Sequence, residues 1–289
     1  MKIVVWGLPL HSHTHSYIHY AFARASKSLG YETYWVDNSE KSNEVIDAGD
    51  VVISCGVADS SLQYKKGASY VLHNSDREDL RAGSYINLQV YTTDVLTRKT
   101  ENLGDLTFWQ PDNRTLYQPW ATDLLPNEIS AIEPVEAVLE TNEIIWIGSV
   151  MGGDQGNYAE ISRYAGLCES NGNVFKVGRG TSTEENIRAI RASRHSPAIQ
   201  GSWQVEKGYV PCRIFKNISY GRLSLTNSRT VSDLLDLEFC SSIEDLYEKS
   251  ESISRGCKPG LTRSKMNLVS ERHTYINRLG NILNFVRLQ

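Results

Sequence analysis

The chain opens with an apolar run followed by a segment of helical periodicity. Residues 2–7 (KIVVWG) form a continuous apolar run that predicts a buried strand, and residues 17–29 repeat apolar positions at helical spacing. Gly30 ends the predicted helix, and residues 31–36 predict a second strand. A strand, a helix, a glycine and a second strand are the opening of a doubly wound parallel sheet.

The same alternation continues and then starts again. Short apolar runs predict strands at 51–55, 69–72 and 86–91. Residues 125–141, rich in proline and acidic residues, predict a linker. A second series follows it, with strands at 143–147 and 174–177, helices at 158–170 and 183–193, and a short strand at 197–200. The pattern therefore predicts an α/β protein with two Rossmann-like domains, 1–135 and 136–265, and a closing helix in 266–289 that packs on the first domain.

The bulk composition limits the function classes. The chain has 289 residues, of which 40% are hydrophobic and 22% charged, as in ordinary soluble globular proteins. The formal net charge of −4 argues against bulk affinity for nucleic acid, so we expect no nucleic-acid partner. Gly7 is followed by Leu-Pro-Leu, and the absence of a G-x-G-x-x-G fingerprint argues against a dinucleotide dehydrogenase.

Cysteine usage and hydropathy indicate a compartment. The five cysteines include no C-x-x-C pair, which favours neither a disulfide framework nor a zinc ribbon and fits a reducing compartment. The chain begins directly on a strand and holds no apolar run close to 18 residues in length. We therefore expect a cytoplasmic protein without an integral membrane segment.

The loop after the first strand carries three alternate histidines, His11, His13 and His15, with Ser16 as a candidate N-cap of the first helix. Three interpretations are open. The histidines could ligate zinc, although no nearby Cys or acidic residue completes a ligand set. They could be structural. They could also recognise an acceptor and supply a general base, because ligands bind at the carboxyl ends of parallel strands.

A second candidate site lies in residues 203–227. Pro211 and Gly221 bracket a short predicted helix, on which Arg213 and Lys216 stand about one turn apart. The unpaired N–H groups at a helix start suit an anion, and the two cations would add to this preference. The alternative is a solvated basic face of an ordinary surface helix.

This segment resembles the donor-binding segment of sugar-nucleotide glycosyltransferases of the GT-B type. Residues 208–215 (GYVPCRIF) resemble the Tyr-Val-Thr-Glu-Lys pattern of α1,3-fucosyltransferases, with Arg213 in place of the Lys that meets the donor diphosphate and Cys212 in place of the Glu. They also resemble the Arg-led segment of the CgeB-like glycosyltransferases, with Lys216 in place of its acidic residue. The paired Glu motif of many retaining enzymes is absent, since its later position is Lys216.

The resemblance extends over the order of the elements. Gly148-Ser149 resembles the Gly-Ser that opens the C-terminal half of GT-B enzymes, and residues 117–123 resemble the segment that leaves their first half. The resemblance implies two Rossmann-like domains that face each other across a cleft, the first binding the acceptor and the second the donor. It also implies a C-terminal helix that returns to the first domain.

The expected function is transfer of a sugar from a nucleotide-sugar donor to a glycan or other hydroxyl acceptor. The resemblance favours GDP-fucose as donor, followed by UDP- and dTDP-sugars, and the absence of the Glu pair favours an inverting outcome. No cofactor is expected, because cationic groups and helix ends can replace a metal ion at the leaving diphosphate. The predicted donor-site residues are Gly148, Ser149, Arg179, Glu206, Lys207, Tyr209, Arg213 and Lys216. The alternatives are a non-catalytic glycan- or nucleotide-binding module and a sugar-nucleotide epimerase.

The predicted catalytic residues lie in the first half. Many inverting GT-B enzymes carry a catalytic His at the start of the first helix, and the same spacing counted back from Gly30 gives His15. His11 and His13 would then contact acceptor hydroxyls. Asp76, after the strand at 69–72, would orient His15 or act as the base in its place, and its structural alternative is a helix N-cap.

Overall fold

The computed structural model describes residues 1–96, 99–135, 140–256 and 258–287. The chain forms two compact units. Unit 1 comprises Met1–Leu125 and the chain from Thr274 onward, and unit 2 comprises Pro126–His273. The predicted domain boundaries lie at 135 and 265, and the predicted roles of the two domains stay predictions.

Unit 1 is built on one large sheet. Its strands are β1 (Ile3–Trp6), β2 (Thr33–Val36), β3 (Val51–Cys55), β4 (Ser69–His73), β5 (Ser84–Gln89), β6 (Glu101–Gly104), β7 (Thr107–Gln110) and β8 (Thr115–Tyr117). Its first helices are α1 (Thr14–Ser28) and α2 (Thr92–Leu96). The strand order is β2-β1-β3-β4-β5-β8-β7-β6, parallel from β2 to β8 and antiparallel for β7 and β6.

The parallel strands of unit 1 confirm the apolar runs. Every residue of β1 and β3 is buried, as expected for strands covered on both faces. On one face, Val4, Trp6, Val52, Tyr70 and Leu72 belong to a single core cluster. The hairpin of β6 and β7 is not among the predicted strands. All four residues of β6 are exposed, so the strand has no apolar alternation from which it could be recognised.

Unit 2 has a smaller sheet. Parallel strands β9 (Glu143–Ile147) and β10 (Val174–Gly178) pair with each other, and parallel bridges join Ala198, Thr226 and Phe239. The segment at 194 lies beside β9, since the backbone N–H of Arg194 donates to the carbonyl of Glu143 at 2.8 Å. Its helices are α3 (Pro126–Ser130), α4 (Tyr158–Ser170), α5 (Thr183–Ala192), α6 (Ser202–Glu206), α7 (Cys212–Ser219), α8 (Arg229–Leu235), α9 (Ile243–Arg255) and α10 (Pro259–Arg272).

Helix α7 has the form predicted for the candidate donor segment. Pro211 is its N-cap, and Gly221, with φ of +87°, follows its C-cap. Ile214 and Ile218 are fully buried, so one face of the helix is anchored in unit 2. This anchoring fixes the direction of the other side chains on the helix.

The closing helix is two helices rather than the single helix predicted. Helix α10 ends at Arg272, and α11 (Tyr275–Arg287) begins three residues later. The last two residues of the predicted helix, 288 and 289, lie outside the described residues. The break occurs at Thr274, whose N–H and hydroxyl both donate to Asn277 Oδ1 and which forms a parallel bridge with Thr122. Helix α11 packs against α1 and β5 of unit 1, as predicted for the returning helix.

None of the helices in the described ranges combines the length and the apolar character that a bilayer crossing requires.

Candidate functional site

Four histidines gather at the carboxyl edge of the unit 1 sheet. The ring of His15 lies 5.3 Å from that of His13, 5.3 Å from that of His73 and 6.5 Å from that of His19, centroid to centroid. Trp120 closes the cluster, with its ring edge-to-face on His73 at 5.0 Å. The loop after β1 and the end of β4 therefore meet at one rim, as expected for parallel strands.

The first helix begins earlier than predicted. His13, not Ser16, is the N-cap of α1, and its Nδ1 accepts a hydrogen bond from the His15 N–H at 3.2 Å. Ser16 is buried, and its hydroxyl accepts from the His11 N–H at 3.1 Å. His11 is exposed, has φ of 70°, and pairs through Nδ1 with the Tyr17 hydroxyl at 3.1 Å.

Burial keeps three of these histidines, His15, His19 and His73, neutral at physiological pH. Desolvation, followed by the neighbouring histidines, lowers the pKa of His15 to about 3 and that of His19 to about 4. Desolvation also lowers the pKa of His73. His73 Nδ1 lies 3.0 Å from the Leu88 carbonyl, which can only accept, so the proton is on Nδ1. His15 Nδ1 is buried and has no hydrogen-bond partner within the part of the chain that the structure describes.

Asp76 does not join the cluster. Its side chain is exposed and forms no hydrogen bond or ion pair with His15 in the described structure. The residue that β4 presents to His15 is instead His73, three positions earlier. No set of three or more His, Cys, Asp or Glu within the described ranges has an arrangement that could hold a metal ion, so the zinc interpretation of the histidine loop gains no support.

A different set of side chains lies at the carboxyl edge of unit 2. Arg213, in the first turn of α7, extends to the end of β9, where its Nε donates to the Ile147 carbonyl at 3.0 Å. Its guanidinium lies over the ring of Trp146, 3.5 Å from the centroid. Stacking and hydrogen bonding fix the planar group in one orientation.

Gly148 makes this arrangement possible. Its φ of +135° is one that residues with a Cβ rarely adopt, and an added Cβ would lie 2.2 Å from Arg213 Nη2. Glycine therefore fits this position for two reasons: the backbone has a positive φ, and the guanidinium occupies the space where a Cβ would lie.

The Arg213 cation is desolvated and has no acidic partner among the described residues. Desolvation lowers the pKa of Arg213 to about 10, which still leaves the group charged at neutral pH. A half-buried cation without a counter-charge creates a local site that favours an anion. The role of Arg213 at a donor diphosphate stays a prediction, and a desolvated cation is the kind of group that such a site would need.

The loop between β9 and α4 is held in shape by Asn157. This buried side chain accepts from the Met151 N–H at 3.0 Å and donates to the Ser149 carbonyl at 3.4 Å, which joins the two ends of the loop. Arg179, exposed at the end of β10, donates through Nη2 to the Val150 carbonyl at 3.3 Å. Gly148, Ser149, Arg179 and Arg213 thus meet around one loop.

The other predicted donor-site residues are spread along the segment that leads to α7. Glu206 is the exposed last residue of α6, and Lys207 is its C-cap. Tyr209 is half-buried, and its carbonyl accepts from Gln200 Nε2 at 2.6 Å. Lys216 is half-buried on α7, one turn after Arg213.

Sequence reasoning did not single out Trp146, Asn157, His73 or Trp120. Trp146 and His73 each stand at or next to the carboxyl end of a parallel strand, so their position in the sequence was the available signal. Asn157 carried only the weak signal of an N-cap type residue at the start of α4, and Trp120 carried none.

No protein-family model and no curated protein sequence matches the chain. Solved structures do. An alpha-glucosyltransferase in complex with UDP and a 13-mer DNA containing a HMU base matches with a TM-score of 0.65 at 9% identity, over 99% of both chains. An alpha-glucosyltransferase in complex with UDP-glucose and DNA containing an abasic site matches with a TM-score of 0.61 at 8% identity, over 98% of this chain and 99% of that one.

A third structure, of T4 phage BGT in complex with its UDP-glucose substrate, matches with a TM-score of 0.51 at 10% identity, over 100% of this chain and 98% of the other. Similarity at this level of identity shows the fold, which is the GT-B fold of nucleotide-sugar glycosyltransferases. The predicted α/β fold class is confirmed.

Two expectations change. The exclusion of nucleic acid is wrong, because proteins that share the fold along its whole length are found in complex with DNA. The net charge of the whole chain does not describe the charge of a local surface, so it could not exclude a nucleic-acid partner. GDP-fucose and a glycan acceptor gain no support, since the three structures named above are glucosyltransferases with UDP or UDP-glucose.

Proposed function

We propose that the protein is a UDP-sugar-dependent glycosyltransferase whose acceptor is a hydroxyl group on a DNA base. The observation that carries the proposal is Arg213, a desolvated cation with no acidic partner among the described residues, placed at the carboxyl edge of unit 2. The support for UDP and for DNA is the fold match along 99% of the chain to an alpha-glucosyltransferase in complex with UDP and DNA.

The reaction follows from the proposed ligands. The acceptor oxygen forms a bond to the anomeric carbon of the donor sugar, and the bond from that carbon to the diphosphate oxygen breaks. UDP leaves with the electron pair, so negative charge grows on the diphosphate oxygen. A fixed guanidinium stabilises that charge in the transition state without reorganising, which is the most effective form of electrostatic catalysis.

The acceptor proton needs a base, and His15 stays the predicted one. Its lowered pKa of about 3 keeps the imidazole neutral and able to accept a proton at pH 7. A base of that pKa holds a proton only weakly, so in this proposal the negative charge of bound substrates raises it. The inverting outcome and the independence from metal also stay predictions; NMR of the product's anomeric proton tests the first, and transfer in EDTA tests the second.

Calorimetry with UDP, GDP and dTDP tests the donor. We expect UDP to bind most tightly, and Arg213→Ala to weaken UDP binding by roughly 10²-fold, as for loss of a charge-assisted hydrogen bond in a desolvated site. Arg188→Ala, at an exposed position on α5, is the matched control and should bind UDP like the native protein. Absence of nucleotide binding, or equal binding by the two variants, would remove the proposal.

Transfer of labelled glucose from UDP-glucose to duplex DNA tests the acceptor. The comparison is between DNA with an HMU base and the same duplex with thymine in its place, and we expect label only in the first. If the protein binds UDP but neither duplex is labelled and UDP-glucose is not cleaved to UDP, the protein is a binding module. Formation of an isomeric UDP-sugar without release of UDP would mean an epimerase.

A further inference from the structure

The predicted base, His15, has one ring nitrogen to which the fold gives no partner. Its Nδ1 is buried and forms no hydrogen bond with any described residue. A neutral imidazole carries a single proton, either on Nδ1 or on Nε2. Because Nδ1 is buried, His15 can take the proton of an acceptor hydroxyl only at Nε2, and Nε2 has a lone pair only while the ring proton is on Nδ1. Catalysis by His15 therefore requires an acceptor for a buried Nδ1–H, which is costly to leave unpaired.

The rings around His15 can be sorted by the lone pair that each has available. His19 Nδ1 accepts from the Leu8 N–H at 3.3 Å, so the proton of this neutral ring is on Nε2. His13 Nδ1 accepts from the His15 backbone N–H at 3.2 Å, so its other nitrogen is a donor. The indole of Trp120 can only donate. None of these three rings can accept from His15 Nδ1–H.

His73 differs from the other three rings. Its Nδ1 lies 3.0 Å from the Leu88 carbonyl, so the proton is on Nδ1 and the lone pair is on Nε2. Its ring centroid lies 5.3 Å from that of His15, the separation of two imidazoles whose facing nitrogens are about 3 Å apart. Trp120 packs edge-to-face on both rings, 5.0 Å from His73 and 6.2 Å from His15. Of the rings that contact His15 in the described ranges, His73 is the one with a lone pair to offer.

The backbone around His73 is held firmly, as a positioning residue requires. His73 is the last residue of β4, and the loop that follows is tied to the loop after β3. The Ser75 hydroxyl donates to Asp59 Oδ2, and Arg77 Nη1 donates to the Asp59 carbonyl at 2.6 Å. The χ2 torsion of His15 has a broad energy profile, so a small rotation of its ring toward His73 costs little. Catalytic hydrogen bonds often become aligned only when substrate binds.

We infer that His73 is the positioning residue of the predicted base: its Nε2 accepts from His15 Nδ1–H and thereby leaves the Nε2 lone pair of His15 for the acceptor hydroxyl. The inference rests on the proposed function and deepens it. A histidine pair takes the orienting role that was predicted for Asp76, whose exposed side chain does not contact His15.

The proton transfer can be written through this pair. The hydroxyl proton moves to His15 Nε2 as the hydroxyl oxygen bonds to the anomeric carbon and UDP leaves with the electron pair. His15 is then a cation, and its Nδ1–H remains on His73. A hydrogen bond to the charged form favours that form, so His73 stabilises the imidazolium that a desolvated site otherwise opposes. Water takes the proton from His15 after the product has left.

Nitrogen NMR of the imidazole rings tests the pair directly, because the ¹⁵N shift of a ring nitrogen reports whether it carries a proton. The signals of His15 are assigned by their loss in His15→Asn. At pH 7 we expect native His15 in the Nδ1–H form. In His73→Phe, which keeps an aromatic ring without a lone pair, His15 should change to the Nε2–H form. In His73→Gln, whose side-chain carbonyl can accept, the Nδ1–H form should be kept.

Transfer from UDP-glucose to duplex DNA with an HMU base tests the consequence for catalysis. We expect kcat of His73→Phe to fall by about 10²-fold, because a neutral His15 in the wrong tautomer cannot act as a base at Nε2. UDP affinity in calorimetry should stay native, since the predicted donor residues lie in unit 2. His73→Gln should recover about 10-fold of the lost kcat, the size of one hydrogen bond. A purely structural role of His73 would give equal losses in the two variants.

The outcomes separate this inference from the proposed function. If native His15 carries its proton on Nε2, or if His73→Phe leaves the tautomer or kcat unchanged, the inference is wrong, while UDP binding and transfer by the native protein still support the proposed function. If the native protein transfers no sugar, the proposed function fails and the catalytic role of the pair fails with it. The native spectrum needs no variant, so it decides whether His15 has the required tautomer even if His73→Phe were unstable.

Discussion

The two units share a topology and differ in the chemistry at the carboxyl edges of their sheets. In each unit the first strand lies between the second strand and the next one along the chain, which in unit 2 is the segment at 194. The loop after the first strand therefore borders the point where the strand order reverses. In unit 1 this loop leads into α1, whose first turns place the neutral rings of His15 and His19 at the edge. In unit 2 it presents backbone, with a fixed guanidinium against it.

The glycines after the two first strands explain the difference. An ideal Cβ on Gly7 would lie 1.9 Å from His19 Nδ1, and one on Gly148 would lie 2.2 Å from Arg213 Nη2. In a dinucleotide fingerprint the glycines let the backbone approach a phosphate. Here each glycine instead makes room for a side chain of the protein. One edge thereby carries neutral imidazole rings and the other a cation, and neither arrangement requires a G-x-G-x-x-G sequence.

The largest effect should follow from filling the space beside Arg213. Gly148→Ala places a methyl group where Nη2 lies and imposes an unfavourable φ of +135°, so the guanidinium must leave Trp146. We expect UDP affinity to fall by about 10²-fold, similar to loss of Arg213. Gly166→Ala, in α4 with nothing within 4 Å of the added Cβ, is the control and should bind normally. Equal affinities of the two variants in calorimetry would contradict this role of Gly148.

The histidine edge of unit 1 should appear in the pH dependence of stability. The folded state lowers the pKa of His15 to about 3, from an unfolded value near 6.5. Below about pH 6.5 the unfolded chain binds a proton that the folded chain refuses, so stability is lost as pH falls from 6.5 toward the folded pKa. Between pH 7.5 and 5.0 one such histidine lowers the free energy of unfolding by about 2 kcal/mol.

Urea unfolding of native protein and His15→Asn at both pH values isolates this contribution, because the carboxylates that titrate in the same range are common to both. On acidification the free energy of unfolding should fall by about 2 kcal/mol less in the variant than in the native protein. His19 and His73, whose pKa values are also lowered, still contribute in the variant. Parallel losses in the two proteins would show that the ring of His15 is not desolvated.

Much of the fold could be predicted from the sequence because its elements have the periodicity that burial imposes. Strand β3, helix α4 and helix α7 lie within one residue of their predicted bounds. The hairpin of β6 and β7 and the break at Thr274 could not be predicted from periodicity. Strand β6 has no buried face, and α10 and α11 are separated by a local cap on Asn277 inside a continuous helical pattern.

The candidate sites could be predicted only in part, because the sequence identifies single residues but not the partners that the fold brings to them. Residues of unusual chemistry, such as His15 and Arg213, can be recognised one at a time. Their partners depend on tertiary contacts, as Trp146 does under Arg213 and His73 does beside His15. Asp76 shows the converse, since a carboxylate only three positions from His73 is exposed and does not contact the cluster. Proximity in sequence at a strand end did not decide which side chain points inward.

The smallest effect should come from changing the shape of the unit 2 cation and keeping its charge. Arg213→Lys retains one positive charge at α7, but an ammonium group lacks the planar face that lies 3.5 Å from the centroid of Trp146 and the Nε that donates to Ile147. We expect UDP affinity to fall by roughly 10-fold, the size of one cation–π contact and its orientation. Arg188→Lys, exposed on α5, is the control for the substitution itself.

Calorimetry over a series of salt concentrations separates the two parts of this effect. If charge dominates, the lysine variant keeps the salt dependence of native binding and lies well above Arg213→Ala in affinity. If the stacked geometry dominates, lysine and alanine variants bind equally weakly, and the view of unit 2 as an anion site defined by charge is wrong. An intermediate affinity, about 10-fold above alanine, is what the fixed guanidinium predicts, because Trp146 and Ile147 orient a charge that the anion requires in any case.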